Sequence, residues 1–244
     1  MPGQVTDDTE MMIALTRTIV DNEDYDPDKA ALSYMDFAAG CPFLGKNTRA
    51  LFYGVKTLNG YRNRVEKIIE SSEGNGCLMR AAPLSVFKTK RRARLDCNLT
   101  NPNESSIECC EIYHSLLRKA LKDSVLEEID LESSFEKEIT GKKKGWCYIP
   151  LYIYSQTVKE LTYRETVESV IRKGGDCDTN ACILGSIWGA KEGFQKIMED
   201  PITKENWEVI YNADTNDGDY PRPYKYHPKE LVILSKELNK LFQN

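Results

Sequence analysis

The sequence predicts an all-α protein, and three observations support this prediction. Apolar residues recur at helical spacing in most segments of the chain. Helix signals flank these segments, such as the Asp26-Pro27 start and the Gly174-Gly175 stop. Hydrophobic residues make up 41% of the 244, which is enough for a sizeable core. We therefore expect a single domain over residues 1–244, folded as a compact helical bundle.

Four helical segments are predicted in the first half of the chain. Asp26 predicts an N-cap with Pro27 at the first helical position, and Gly40 predicts the end of that helix after Ala39. The segments are marked, in chain order, by Met12, Leu15 and Ile19; by the stretch 26–39; by Val65, Ile68 and Ile69; and by Ile107, Cys110, Tyr113, Leu117 and Leu121. The fourth is strongly amphipathic.

Three more helical segments are predicted in the second half. Thr162 and Glu165 form a capping box that opens the first of them, and Gly174-Gly175 ends it. The stripes consist of Tyr163, Val167, Val170 and Ile171; of Ile183, Ile187 and Ala190; and of Leu231, Leu234, Leu238 and Leu241. The last stripe predicts a final helix.

The segment Trp146–Val158 is ambiguous, because its aromatic and β-branched residues also favour a strand. The elements on both sides are helical, so we expect a buried helix here. Linkers are predicted at residues 133–145 and 212–228, where the second is rich in Asp, Asn, Gly and Pro. The C-terminal part, about residues 197–228, is expected to be rich in loops.

The chain is mildly acidic, since 33 Lys and Arg residues oppose 38 Asp and Glu residues for a formal charge of −5. Such a chain is a poor candidate for nucleic-acid binding, which needs basic surface. No apolar run approaches the ~20 residues of a membrane span, and residues 1–10 lack a secretory signal. We expect a cytoplasmic location. The basic run at 88–94 is a nuclear signal, a phosphate contact or simply a solvated helix end.

Eight cysteines and two histidines limit the metal chemistry that the sequence favours. No two cysteines form a C-x-x-C pair, which disfavours a thiolate zinc site. Without a secretion signal, the cysteines are expected to be reduced and mostly buried. His114 and His227 alone disfavour a histidine-rich metal site or a histidine-activated nucleophile.

Two acidic clusters each stand directly ahead of a helical stripe. The first is the stretch 6–9, which contains Asp7 and Asp8. Helix capping alone would explain it, with Asp7 as the N-cap and Glu10 at the third helical position.

The second cluster, residues 174–180, contains two carboxylates where capping needs only one. In an extended segment the side chains of Asp176 and Asp178 point the same way, and Thr179 adds a hydroxyl. Oxygen ligands without a nearby histidine suit a hard cation such as Mg²⁺ or Ca²⁺. Asp178 as a simple cap is the alternative. A haloacid-dehalogenase-type motif is excluded, because Asn180 stands where that motif needs Thr or Val.

Two groups of glycines indicate where the chain packs closely or turns. Gly185, Gly189 and Gly193 share one helix face and predict close packing against another backbone. Packing against the helix that follows the first acidic cluster would bring the two clusters together. Residues 74–76, Gly-Asn-Gly, are either a plain turn between helices or a turn whose backbone N–H groups face a ligand oxygen.

Together these motifs resemble the ADP-ribosylglycohydrolase family, which includes the dinitrogenase reductase-activating glycohydrolases. The residues that carry the resemblance are Thr6-Asp7-Asp8-Thr9-Glu10-Met11-Met12; Gly74-Asn75-Gly76 with Met79-Arg80 and Pro83-Leu84; and Gly175-Asp176 with Asp178-Thr179, Gly185 and Gly189-Ala190. They occur in the family's order and cover roughly residues 4–210. The resemblance implies an all-α fold of the ADP-ribosylglycohydrolase type around two Mg²⁺ ions, and hydrolysis of the bond between ADP-ribose and an acceptor.

The resemblance also implies roles for particular residues. The implied metal ligands are Thr6, Asp7, Asp8, Asp176, Asp178 and Thr179. The implied catalytic residues are Asp7, Asp8 and Asp178, and the implied substrate-binding residues are Gly74, Asn75, Gly76 and Asn101. The expected partners are ADP-ribose or an ADP-ribosylated protein, with neither nucleic acid nor a membrane.

The sequence departs from the family pattern in two places. Family members usually carry an N-terminal helix with a Gly-Asp element and an acidic residue, and we expect that helix to be missing ahead of Thr6. Asn101 stands between Thr100 and Pro102 where some members have a substrate-contacting histidine. It is either a substrate ligand or the N-cap of the next helix. The alternative functions are therefore a catalytically impaired ADP-ribose-binding protein and a metal-stabilised structural protein.

Overall fold

The predicted all-α fold is confirmed by the computed structural model, which describes residues 2–68, 74–129, 131, 146–214 and 220–242. No β-strand occurs within these ranges. The α-helices there are α1 Asp7–Asn22, α2 Pro27–Ala38, α3 Lys46–Phe52, α4 Leu58–Ile68, α5 Gly76–Met79, α6 Arg91–Cys97, α7 Glu104–Asp123, α8 Tyr148–Gln156, α9 Tyr163–Lys173, α10 Cys177–Glu192, α11 Phe194–Ile197, α12 Pro201–Asn212 and α13 Pro228–Phe242. Two 3₁₀ turns, Ala82–Val86 and Tyr224–Tyr226, complete this set.

Two central helices organise the core. Helix α1 packs between α2 and the final helix α13, and it buries Leu15 and Ile19 completely. Helix α10 packs against α9 and α7, with Ile183 and Ile187 fully buried. The short helix α5 contacts both α1 and α10. The N-termini of the two central helices therefore reach the same region of the molecule.

Two of the predicted helix caps are confirmed, at the starts of α2 and α9. The Asp26 side chain accepts hydrogen bonds from the backbone N–H groups of Asp28 and Lys29, at 2.9 and 3.1 Å. Thr162 and Glu165 form the reciprocal capping box at the start of α9. Since both ends of such a box lie within one helical turn, local sequence is enough to predict it.

The ambiguous segment Trp146–Val158 contains the helix α8, as predicted. Tyr148, Leu151 and Tyr154 are buried, and the ring of Tyr154 meets the edge of Trp188 with centroids 5.6 Å apart. Burial in a helical layer thus outweighs the strand propensity of these residues. None of the described helices, α8 included, is long and apolar enough to cross a membrane.

Some details of the predicted pattern are wrong. The expected loop-rich stretch 197–228 contains the helix α12, whose residues are all at least partly exposed, so that no buried stripe marks it. Leu121 and Ile171 were expected on buried faces, but they are 53% and 52% exposed. The predicted linker 133–145 and the position of Ile69 lie outside the described residues.

Candidate active site

The two acidic helix starts meet at one cavity. This cavity has a volume of about 460 Å³ and lies where the N-termini of α1 and α10 approach the start of α5. Nine of the ten predicted site residues line it: Asp7, Asp8, Gly74, Asn75, Gly76, Asn101, Asp176, Asp178 and Thr179. The tenth, Thr6, lies beside it and donates its hydroxyl to Asp8 Oδ2 at 3.0 Å.

Neither Asp7 nor Asp178 occupies the N-cap position of its helix. The N-cap of α1 is Thr6 and that of α10 is Asp176, and neither side chain makes a capping hydrogen bond. Asp7 Oδ2 instead accepts a hydrogen bond from the backbone N–H of Gly45, at 3.3 Å. The capping explanation of Asp7 and Asp178 is therefore wrong, because the N-cap positions belong to other residues.

Glu10, the proposed partner in a capping box, has a different role. It is buried and accepts hydrogen bonds at 2.7–3.0 Å from Arg222, which lies just ahead of the final helix. The guanidinium of Arg222 also lies over the ring of Tyr226, 5.0 Å from its centroid. This buried ion pair joins the first turn of α1 to the C-terminal part of the chain.

Asp8 lies deepest in the acidic cluster. It is 4% exposed, and its Oδ1 is buried without a hydrogen-bond partner. Burial raises the pKa of this carboxyl, although the nearby hydroxyls of Thr179 and Thr6 act in the opposite direction, and the charge of Asp178 raises the pKa further. A buried carboxylate oxygen with no donor is normally satisfied by water or a cation.

Asp7 is likewise a largely buried carboxyl beside other acidic side chains. Burial and the neighbouring charge of Asp8 raise the pKa of Asp7 to about 7, and the charge of Asp178 adds to this shift. The N–H of Gly45 opposes it. Three carboxylates from two helices therefore repel one another at neutral pH, and a bound cation would relieve this repulsion.

The Gly74–Gly76 turn is tied to the acidic cluster. Asn75 Nδ2 donates to Asp176 Oδ2 at 2.6 Å, across 101 positions of sequence. Asn101 is buried and donates its Nδ2 to the carbonyl of Gly74 at 2.9 Å. The prediction that Asn101 caps the next helix is wrong, because Asn103 is the N-cap of α7.

Arg80 supports the turn from below. It is fully buried, its Nε donates to Asp96 Oδ2 at 2.8 Å, and it lies over the ring of Tyr34. Its Nη1 donates to the carbonyl of Gly76 at 2.7 Å and to the hydroxyl of Thr100 at 3.0 Å. The turn is thus fixed at Gly74 by Asn101 and at Gly76 by Arg80.

The glycine face of α10 packs elsewhere than predicted. A Cβ at Gly185 would meet the ring of Tyr163 on α9 at 3.6 Å, and a Cβ at Gly189 would meet Ile197 at 3.9 Å. Gly193 has a φ of +81° and caps the helix. The predicted packing of this face against α1 is therefore wrong. The acidic clusters converge because α1 and α10 contact each other and α5 packs against both of them.

Sequence reasoning missed part of the cavity wall. The additional lining residues are Phe43, Gly45, Lys46, Asn47, Thr48, Met79, Thr100 and Trp146. Residues 45–48 open the short helix α3, which has no apolar stripe to draw attention to it. Trp146 is 54% exposed. In the sequence it stands at the edge of an apolar segment, and this position was the signal that could have identified it.

The donors at the acidic end of the cavity suit hard divalent cations. Every predicted ligand there offers carboxylate or hydroxyl oxygen, the donor type that Mg²⁺ prefers. The buried Oδ1 of Asp8 lacks a hydrogen-bond partner among the described residues, and burial together with the charge of Asp8 raises the pKa of Asp7. The residues therefore fit magnesium.

Comparisons with known proteins show which family the sequence is similar to. The family model described as ADP-ribosylglycohydrolase matches residues 1–212. A protein of Acanthamoeba polyphaga mimivirus, named as a candidate ADP-ribosyl glycohydrolase, is 25% identical over 234 residues, covering 78% of this chain and 71% of its own. The ADP-ribosyl-[dinitrogen reductase] glycohydrolase of Rhodospirillum rubrum is 25% identical over 235 residues, covering 85% and 76%. An uncharacterised protein of Archaeoglobus fulgidus is 24% identical over 231 residues, covering 79% and 72%.

Proposed function

Because the chain belongs to the ADP-ribosylglycohydrolase family, a family of hydrolases, we propose that it removes ADP-ribose from a modified acceptor in a magnesium-dependent reaction. The observation that supports this proposal best is the convergence of two acidic helix starts at one cavity, beside the Gly74–Gly76 turn. If the acidic residues only capped their own helices and the turn only joined two helices, these features would not need to lie at one cavity.

Two magnesium ions would be held by the oxygen donors of the two helix starts. The ligands we propose are Thr6, Asp7, Asp8, Asp176, Asp178 and Thr179. When bound, the ions would act as Lewis acids that orient the ribose hydroxyls and lower the pKa of water.

The carboxylates of the chain would act on the reacting sugar directly. Cleavage of a glycosidic bond passes through a state with positive charge on the sugar ring. Asp7, Asp8 and Asp178 place negative charge at the cavity, and preorganised charge of this sign stabilises such a state. We propose these three residues as the catalytic carboxylates.

The turn at 74–76 would bind the ADP-ribose moiety. Its backbone is held by Asn101 and Arg80, and the Asn75 side chain is held by Asp176. A turn fixed at three points loses little conformational entropy when a ligand binds. Gly74, Asn75, Gly76 and Asn101 are therefore the substrate-binding residues of this proposal. A protein-linked ADP-ribose is the preferred substrate, since the name of the Rhodospirillum rubrum relative specifies a protein acceptor.

A hydrolysis assay tests the proposal. Peptides carrying ADP-ribose on arginine or on serine are incubated with the protein, and free ADP-ribose is quantified by liquid chromatography. We expect release in the presence of Mg²⁺, none in EDTA, and loss of release in Asp7→Asn and Asp178→Asn. Asp21→Asn, an exposed change on α1, is the control that keeps full activity.

Other outcomes would identify the alternative functions. If ADP-ribose with Mg²⁺ raises the melting temperature but no linkage is cleaved, the protein is an ADP-ribose-binding protein. If Mg²⁺ alone raises the melting temperature and ADP-ribose adds nothing, the acidic cluster has a structural role. Either result would contradict the proposed hydrolysis.

A further inference from the structure

Three cysteines that are distant in sequence meet in the core below the Gly74–Gly76 turn. Cys77 lies in α5, Cys97 ends α6, and Cys110 lies within α7. Their Sγ atoms all lie within 4.8 Å of one another, and each residue is at most 1% exposed. The spacing of the cysteines along the chain disfavours a thiolate site, because no two of them form a C-x-x-C pair. The fold brings these three together from separate helices.

The distances between the sulfur atoms are close to those of a metal site. Zinc–sulfur bonds are about 2.3 Å long, so two sulfurs of a tetrahedral site lie about 3.8 Å apart. Each pair among the three cysteines therefore needs to approach by about 1 Å at most to reach that spacing. Cys147 Sγ lies 3.7 Å from Cys77 Sγ but farther than 4.8 Å from at least one of the other two sulfurs, so its side chain would have to move to become a fourth ligand.

We propose that Cys77, Cys97 and Cys110 form a buried thiolate site for one zinc ion, with Cys147 as the fourth ligand. Four protein sulfurs would leave no open position, so the ion would be structural. Cys147 now donates to the carbonyl of Gly74 at 2.8 Å. That carbonyl keeps its hydrogen bond from Asn101 when Cys147 turns to the metal.

This site would be chemically distinct from the acidic cavity. Soft sulfur donors select zinc or similar ions, whereas the carboxylates above them select magnesium. The proposal therefore does not rest on the proposed hydrolysis. Its effect on the molecule would be to fix the start of α5, because Cys77 directly follows Gly76 of the turn.

The test uses the unmodified protein first. Its zinc content is measured by mass spectrometry as purified under reducing conditions, and the protein is then refolded from denaturant with Co²⁺, so that the ion can enter before the core closes. We expect one tightly held ion per chain and, with cobalt, the near-ultraviolet charge-transfer absorption of cobalt–thiolate bonds. Carboxylate-bound cobalt lacks this absorption, so the acidic cavity cannot imitate the result.

Variants then locate the ligands. Cys97→Ser and Cys110→Ser should each weaken the absorption, because a thiolate is lost, whereas Cys41→Ser, at another buried cysteine, and Asp178→Asn should keep it at full strength. Absence of both zinc and the cobalt absorption in the unmodified protein would overturn the proposal without any need for a variant to fold. Retention of the full absorption in both Cys97→Ser and Cys110→Ser would overturn it as well.

Discussion

The substitution Asp7→Asn is expected to stabilise the cation-free protein and, at the same time, to weaken its stabilisation by magnesium. The pKa of Asp7 is raised from 3.8 to about 7, chiefly by burial and by the charge of Asp8. One pKa unit corresponds to about 1.4 kcal/mol, so ionisation of Asp7 lowers the free energy of unfolding by up to about 4 kcal/mol. The Asn side chain has no charge and avoids this penalty.

The pH dependence follows from the direction of the shift. Between pH 3.8 and about 7 the folded protein keeps a proton on Asp7 that the unfolded chain has lost. Stability of the cation-free protein therefore falls as pH rises through this window. The advantage of Asp7→Asn should be absent near pH 4 and complete near pH 8.

Urea unfolding followed by circular dichroism measures both effects. In EDTA at pH 8, Asp7→Asn should unfold at a higher urea concentration than the wild type. Saturating Mg²⁺ should then stabilise the wild type by about 2.7 kcal/mol at a hundred times the dissociation constant, and the variant much less. Asp21→Asn, exposed on the same helix, should follow the wild type. Equal stability of the two proteins in EDTA at pH 8, or an equal gain from Mg²⁺, would refute this reasoning.

Three further changes test the supports of the fold. Arg80→Met leaves Asp96 charged and buried, so urea titration should show a loss of about 3–5 kcal/mol; an unchanged midpoint would contradict the role of this pair. Arg222→Met likewise leaves Glu10 buried without its partner and should lower the free energy of unfolding. Because a buried, unpaired Glu10 favours its protonated form, this loss of stability should shrink as the pH falls toward about 4. The Cβ that Gly174→Ala adds would meet no atom within 4 Å, but the alanine must keep a φ of +77°. The substitution should therefore lower the free energy of unfolding by about 1–3 kcal/mol, and an unaltered thermal melt would show that the backbone relaxes.

The helices were predictable because their signals are local. Asp26 reaches the N–H groups of its own first turn, and Thr162 pairs with Glu165 within one turn, so neither depends on distant residues. Helix α12 escaped prediction because it has no buried face. An exposed helix is set by propensity and capping, which leave a weaker pattern than burial does.

The candidate site was only partly predictable, because its residues come from separate elements. Eight of the predicted cavity-lining residues lie in the motifs that carry the family resemblance, and the ninth, Asn101, stands where the sequence departs from the family pattern. The bond between Asn75 and Asp176 spans 101 positions, and no spacing rule reports such a contact. The glycine face of α10 was read correctly as a packing surface, but its partner is Tyr163 on α9, since composition does not say which helix will cover a face.

The central claim is that the oxygen donors at the starts of α1 and α10 hold divalent cations together. Crystals of the protein grown with Mn²⁺, which replaces Mg²⁺ in oxygen sites, would locate the ions by anomalous scattering. We expect two adjacent peaks between Asp8 and Asp178, about 3.5–4 Å apart. Crystals that contain manganese but show no peak at this cavity, with both carboxylates bonded only to protein atoms, would contradict this claim.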